Sequence, residues 1–127
     1  MRIIVKDVYK EETTYCVTFL TQYGIGKGKW RGEVPVINNE YFVEIEIPQV
    51  LTWGEEITLA DTNSCKLLTK ESNLQIVGKL ESIEDDGCAF VQFDDILIAF
   101  ATEGNPFSID TYIELSIREM ILCEIKY

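Results

Sequence analysis

The chain has 127 residues, with 22 acidic and 11 basic side chains, no histidine, 46% hydrophobic residues and a formal charge of −11. A chain of this size buries roughly 65–70% of its unfolded surface, which supports a core without metals or disulfides, and its apolar fraction excludes disorder. The missing histidine excludes Ser-His-Asp and Cys-His catalysis and any imidazole ligand, while the negative charge argues against gripping nucleic acid through its phosphates.

Charges interrupt Met1-Arg2-Ile3-Ile4-Val5-Lys6-Asp7 at once, so this start reads as a strand and not as a secretory leader. Alternation of apolar and polar residues predicts strands over 2–9 and 15–23. The stretch Gly24-Ile25-Gly26-Lys27-Gly28-Lys29-Trp30-Arg31-Gly32 matches no phosphate-binding glycine pattern. It reads either as a bent strand or bulge, or as a contact loop anchored by Trp30 and Arg31. In 41–47, Tyr41, Val43, Ile45 and Ile47 share one face, with Glu44 and Glu46 on the other. Residues 48–53 read as a helical turn, and Trp53 as a core or barrel-end residue. The connection 54–73 is too long to lack structure, so 56–59 and 66–69 are expected to pair as short strands. Strands follow over 74–83, 88–93 and 96–102, with Asp85-Asp86-Gly87 as a hairpin signal and Gly104-Asn105-Pro106 as a breaker. Residues 111–117 form another alternating strand, 116–122 a second helical turn and 120–127 a last strand. The longest apolar run, 96–101, falls far short of the ~20 residues of a membrane helix. The fold class is all-β: a small antiparallel barrel or sandwich forming one compact domain over 1–127, in a cytoplasmic setting.

An internal repeat is visible in the pattern. Ile4 to Cys16 can be laid over Ile76 to Cys88, and Val43-Glu44-Ile45 over Ile113-Glu114-Leu115. The halves would be 1–53 and 74–127, joined by 54–73. Cys16, Cys65, Cys88 and Cys123 form no C-x-x-C pair and are expected to be free thiols, without metal or cofactor.

The charge divides unevenly. Residues 1–53 hold six basic and seven acidic side chains, whereas 54–127 hold five and fifteen. The acidic excess is densest at Glu81, Glu84, Asp85 and Asp86 and at Asp94-Asp95. Such a face keeps a β protein soluble, or docks a basic partner by electrostatic steering. The spacing of a calcium-binding EF-hand loop is absent. Carboxylate pairs can hydrolyse glycosides, but Glu44 and Glu114 lie on polar strand faces where solvated glutamate is normal, so no enzyme is expected.

Small, acidic, β-rich and free of catalytic motifs, the chain resembles in overall character the immunity proteins of bacterial toxin–immunity pairs, notably those of contact-dependent growth inhibition. The resemblance rests on no specific motif, so no residue roles carry over. It implies a protein–protein interaction in which a toxin inhibitor covers a cognate basic toxin domain, a nuclease. The partner face would comprise Glu81, Glu84, Asp85, Asp86, Asp94 and Asp95 with Trp30 and Arg31. The alternative is an OB-like barrel module for single-stranded nucleic acid or oligosaccharide, using the basic aromatic segment around Lys27 and Arg31. A homodimer through the C-terminal strand as a sheet edge is a third arrangement.

Overall fold

The computed structural model describes residues 1–126 and contains twelve strands and, among those residues, no helix. The strands are β1 (Arg2–Glu11), β2 (Thr14–Thr21), β3 (Gly24–Arg31), β4 (Glu40–Glu46), β5 (Val50–Thr52), β6 (Ile57–Leu59), β7 (Lys66–Lys70), β8 (Asn73–Ile83), β9 (Cys88–Phe93), β10 (Ile96–Glu103), β11 (Tyr112–Ile117) and β12 (Ile121–Glu124). Five of them close a barrel in the order β1-β2-β3-β12-β4. The rest form a second sheet, β5-β10-β9-β8-β11-β6, with β7 added on β8. A bridge between Trp53 and Ile57 brings the two ends of that sheet together.

The two sheets repeat one plan. In the first, β1, β2 and β3 form a meander and β4 returns to pair antiparallel with β1. In the second, β8, β9 and β10 form the meander and β11 returns to β8. The first strand of each carries a bulge, after Val5 and after Leu80. The loops Gly32 to Asn38 and Gly104 to Asp110 begin and end on left-handed residues, with φ of 133° and 72° against 100° and 67°. Each ends by donating a backbone hydrogen bond to the residue before the bulge: Asn38 to Val5 at 2.7 Å and Asp110 to Leu80 at 2.8 Å.

These landmarks revise the register of the repeat. Cys16 does correspond to Cys88, since they pair with Lys29 and Ala101 in equivalent hairpins. Val5, however, corresponds to Leu80, and Tyr41 to Ile113, which face Ile3 and Gly78. Glu114 therefore matches Phe42 and not Glu44. The second shift is of two residues, which leaves an alternating pattern unchanged, and the first is of three, across bulges that interrupt the alternation, so alternation alone does not fix this register.

Each unit is closed by a strand that the other half supplies. β12 follows β11 in the chain but lies in the first barrel, parallel to β3 and antiparallel to β4. β5 follows β4 but lies in the second sheet, parallel to β10, and β6 continues it along β11. Leu122 sits beside Trp30 and Leu51 beside Thr102, at matching places, and both leucines are fully buried. This corrects two sequence expectations. Residues 48–53 and 116–122 are not helical turns: they run from one unit to the other and enter these closing strands. The C-terminal strand is not a free sheet edge, because both its sides are paired; Tyr127, at the end of that expected strand, lies outside the described residues.

The glycines of β3 face inward, where β10 carries Ile98 and Phe100. A side chain at Gly26 would meet the Phe19 ring at 2.5 Å, and one at Gly28 would meet Met120 at 2.9 Å. Large neighbours thus fill the space that the glycines leave. The core is one continuous cluster through both units, including Phe19, Trp30, Leu51, Leu67, Phe93, Ile113 and Leu122.

Candidate functional site

The acidic segment divides on folding. Glu84, Asp85, Asp86 and Gly87 form the turn between β8 and β9. Gly87 supplies the left-handed residue at φ 89°. The backbone N–H of Glu84 donates to Cys88 at 2.8 Å, and Asp86 accepts from the Cys88 N–H at 3.0 Å. The Gly87 carbonyl accepts both the backbone N–H and the hydroxyl of Thr102, at 3.0 and 2.6 Å. A neighbouring strand thus holds the hairpin tip, and Glu81 is exposed at the adjacent bulge. No ion pair among the described residues involves Glu81, Glu84, Asp85 or Asp86.

Four carboxylates on or beside the first barrel are different. Arg2 pairs with Glu40, Arg31 with Glu46, Lys29 with Glu119 and Lys126 with Glu33. These exposed pairs contribute little stability each, but they neutralise the local field. The β8–β9 turn, with Glu84, Asp85 and Asp86 in succession, has no such partner among the described residues.

Asp94 and Asp95 do not join that face. They sit at the opposite end of β9, roughly 20 Å away along a six-residue strand. There they serve the contact between the two units. Asp94 accepts the Tyr23 hydroxyl at 2.9 Å and the Gln22 amide at 3.3 Å, and the Tyr23 ring stands edge-on to Phe93 at 5.3 Å. Asp95 pairs with the Met1 ammonium at 3.3 Å, while that ammonium also donates to the Val43 carbonyl at 3.0 Å. Burial pushes the Asp95 carboxyl up, but the ammonium and further hydrogen bonds pull it down harder, so it lies below its ordinary value.

The hydrogen bond to Asp94 raises the Tyr23 hydroxyl above its ordinary value, with burial and the Asp94 charge adding to it. The bonded, neutral hydroxyl is then a source of stability that is present in full below pH ~10 and is lost as pH rises through the raised value. Tyr23→Phe is expected to cost about 1 kcal/mol at neutral pH. Chemical denaturation as a function of pH checks this: the variant should also lose stability less steeply on the alkaline side than the parent.

Trp30 and Arg31 separate as well. Trp30 is 5% exposed, packs edge-on against Tyr41 at 5.2 Å and donates its indole N–H to the Glu33 carbonyl at 2.6 Å. It is a core residue of a regular strand and not the anchor of a contact loop. Period-two placement on the same face as Gly24, Gly26 and Gly28 is the sequence signal for that burial. Arg31 is exposed and held by Glu46 at 3.0 Å. Trp53 is 7% exposed against Phe107.

All four cysteines are free thiols. Burial raises the Cys16 thiol, helped by its bond to Glu11, and burial also raises Cys123. Raised thiols are poor nucleophiles. Among the described residues no group of three or more His, Cys, Asp or Glu side chains is placed to hold a metal ion, and no helix is long and apolar enough to cross a membrane.

Comparison of the chain with protein-family models, curated proteins and solved structures gave no match.

Proposed function

We propose that the protein is an acidic binding module that inhibits a basic partner, in the manner of an immunity protein neutralising a cationic toxin nuclease. One observation carries this reading. Glu81, Glu84, Asp85 and Asp86 are clustered and exposed at a braced hairpin and make no ion pair among the described residues, whereas Glu33, Glu40, Glu46 and Glu119 each have a cationic partner. Uncompensated carboxylates on a rigid hairpin steer a cationic surface and fix its orientation. The contact would cover the partner's active or substrate-binding surface and needs no chemistry from this chain.

Charge reversal tests it. A variant with Glu81→Lys, Glu84→Lys, Asp85→Lys and Asp86→Lys is compared with a control of equal net charge, Glu12→Lys, Glu44→Lys, Glu55→Lys and Asp61→Lys. The ligand is a basic protein that co-purifies with the parent chain and elutes with salt. The hairpin variant is expected to associate at least about tenfold more slowly than the control at low salt. Equal rates for the two variants would sink the proposal.

The closed five-stranded barrel favours a second reading as an OB-like nucleic-acid module. Its β3 presents Lys27, Lys29 and Arg31, but Glu119 and Glu46 neutralise the latter two. Fluorescence anisotropy against single-stranded DNA and RNA at low salt decides between the readings, because this one requires binding that weakens with salt.

A further inference from the structure

A trough of about 630 Å³ runs between the two units, on the side away from the Tyr23–Asp94 contact. One wall is the outer face of the first barrel, where Tyr9, Cys16 and Lys29 lie side by side across β1, β2 and β3. The other wall is the turn from β7 to β8 with Glu71 and Asn73, and the floor is made by both inter-unit crossings, through Gln49 and Arg118. The site therefore exists only because the closing strands are exchanged. Its volume falls in the range of small-molecule pockets, roughly 300–1,000 Å³.

The charge of this trough is unlike that of the rest of the chain. It is lined by three cations, Lys27, Lys29 and Arg118, and by three carboxylates, Glu11, Glu71 and Glu119. Lys29 and Glu119 neutralise each other. Lys27 and Arg118 make no ion pair among the described residues. A polyanion would face three carboxylates here and a chain of charge −11 beyond them. A polycation finds no local excess of negative charge. A neutral ligand rich in hydroxyls fits both facts, since a hydroxyl donates to carboxylates and accepts from ammonium and guanidinium groups. The Asn73 amide offers the same dual capacity, and Gln49, whose oxygen accepts the Arg118 backbone N–H at 2.9 Å, offers its NH2 group. Tyr9, 44% exposed on the rim, adds a flat apolar face.

We propose that this trough binds a neutral oligosaccharide, with Tyr9 stacking on a sugar ring and Lys27, Glu71, Asn73 and Arg118 bonding its hydroxyls. The full chain is titrated with hexasaccharides of glucose (α- and β-linked) and of N-acetylglucosamine, and with oligo-deoxythymidylate, while backbone amide resonances are followed. At least one hexasaccharide is expected to shift the Gly28, Asn73 and Arg118 amides saturably. Tyr9→Ala and Asn73→Ala, at exposed positions, should each weaken that binding by about tenfold while leaving the remaining spectrum in place. The proposal is overturned if no hexasaccharide gives a saturable shift, if both variants bind as the parent does, or if only the oligonucleotide shifts these amides.

Discussion

Leu122→Ala is expected to lower the stability of the whole chain by about 2–5 kcal/mol. Leu122 is fully buried beside Trp30, between β3 and β4, and its methyl group lies over the bare face of Gly28. Truncation leaves a cavity that cannot collapse easily, because strands of one closed barrel hold both its sides. The two tryptophans allow a local check. Trp30 belongs to the first barrel, and Trp53 bridges to Ile57 at the margin of the second. Denaturation followed by Trp30 emission in a Trp53→Phe background should show the loss in full. A change below about 1 kcal/mol would mean that β12 does not close the first barrel.

The second large effect concerns Gly24. It stands at the start of β3 with φ at 143°, and a Cβ there would lie 1.9 Å from the backbone oxygen of Leu67. The obstacle is main chain, so no rotamer change relieves it. The Leu67 N–H meanwhile donates to the Tyr23 carbonyl at 3.1 Å, and the Thr69 hydroxyl donates to Ile25 at 2.9 Å. Gly24→Ala must push β7 off β3 and break this seam, at an expected cost of about 3–5 kcal/mol. Gly54 separates the contribution of strain from that of collision. Its φ is 88°, and nothing lies within 4 Å of a Cβ built there. Gly54→Ala should therefore cost only the backbone strain, about 1 kcal/mol. Thermal or urea unfolding of the two variants side by side makes the comparison, and equal losses would show that the β3–β7 seam yields freely.

Much of this fold is legible in the sequence because alternation is a local signal. Cys88 to Phe93 forms a strand with the bounds that its pattern predicts, and Asp85-Asp86-Gly87 makes the turn that its residues demand. The short pairings within 54–73 also appear, at Ile57–Leu59 and Lys66–Lys70. What alternation does not carry is the identity of a strand's neighbour. Val50-Leu51-Thr52 is too short to show a period, and its partner in β10 is some fifty residues away. The same holds for Ile121-Leu122-Cys123, whose neighbours β3 and β4 belong to the other half.

The candidate site was legible only in part, for a related reason. Sequence shows that Glu84 to Asp86 and Asp94-Asp95 are both acidic, but adjacency in the chain does not reveal that a strand separates them. Nor does it show that Tyr23 and the Met1 ammonium occupy the second pair while the first is left open. The trough was not foreseen at all. Its lining comes from six separate stretches of the chain, none of which carries a recognisable pattern alone.

The exchange of closing strands also bears on synthesis. A ribosome makes the chain from its amino end, so β1 to β4 emerge first, yet their barrel lacks its fifth strand until residues 121–124 follow. Until then, the sides of β3 and β4 that β12 later covers offer unpaired N–H and carbonyl groups to any passing strand. The second unit, whose closing segment β5–β6 is made before its meander, has no such wait. The unit translated first is thus the one completed last, and its β3 and β4 stay open to wrong pairing until residues 121–124 arrive.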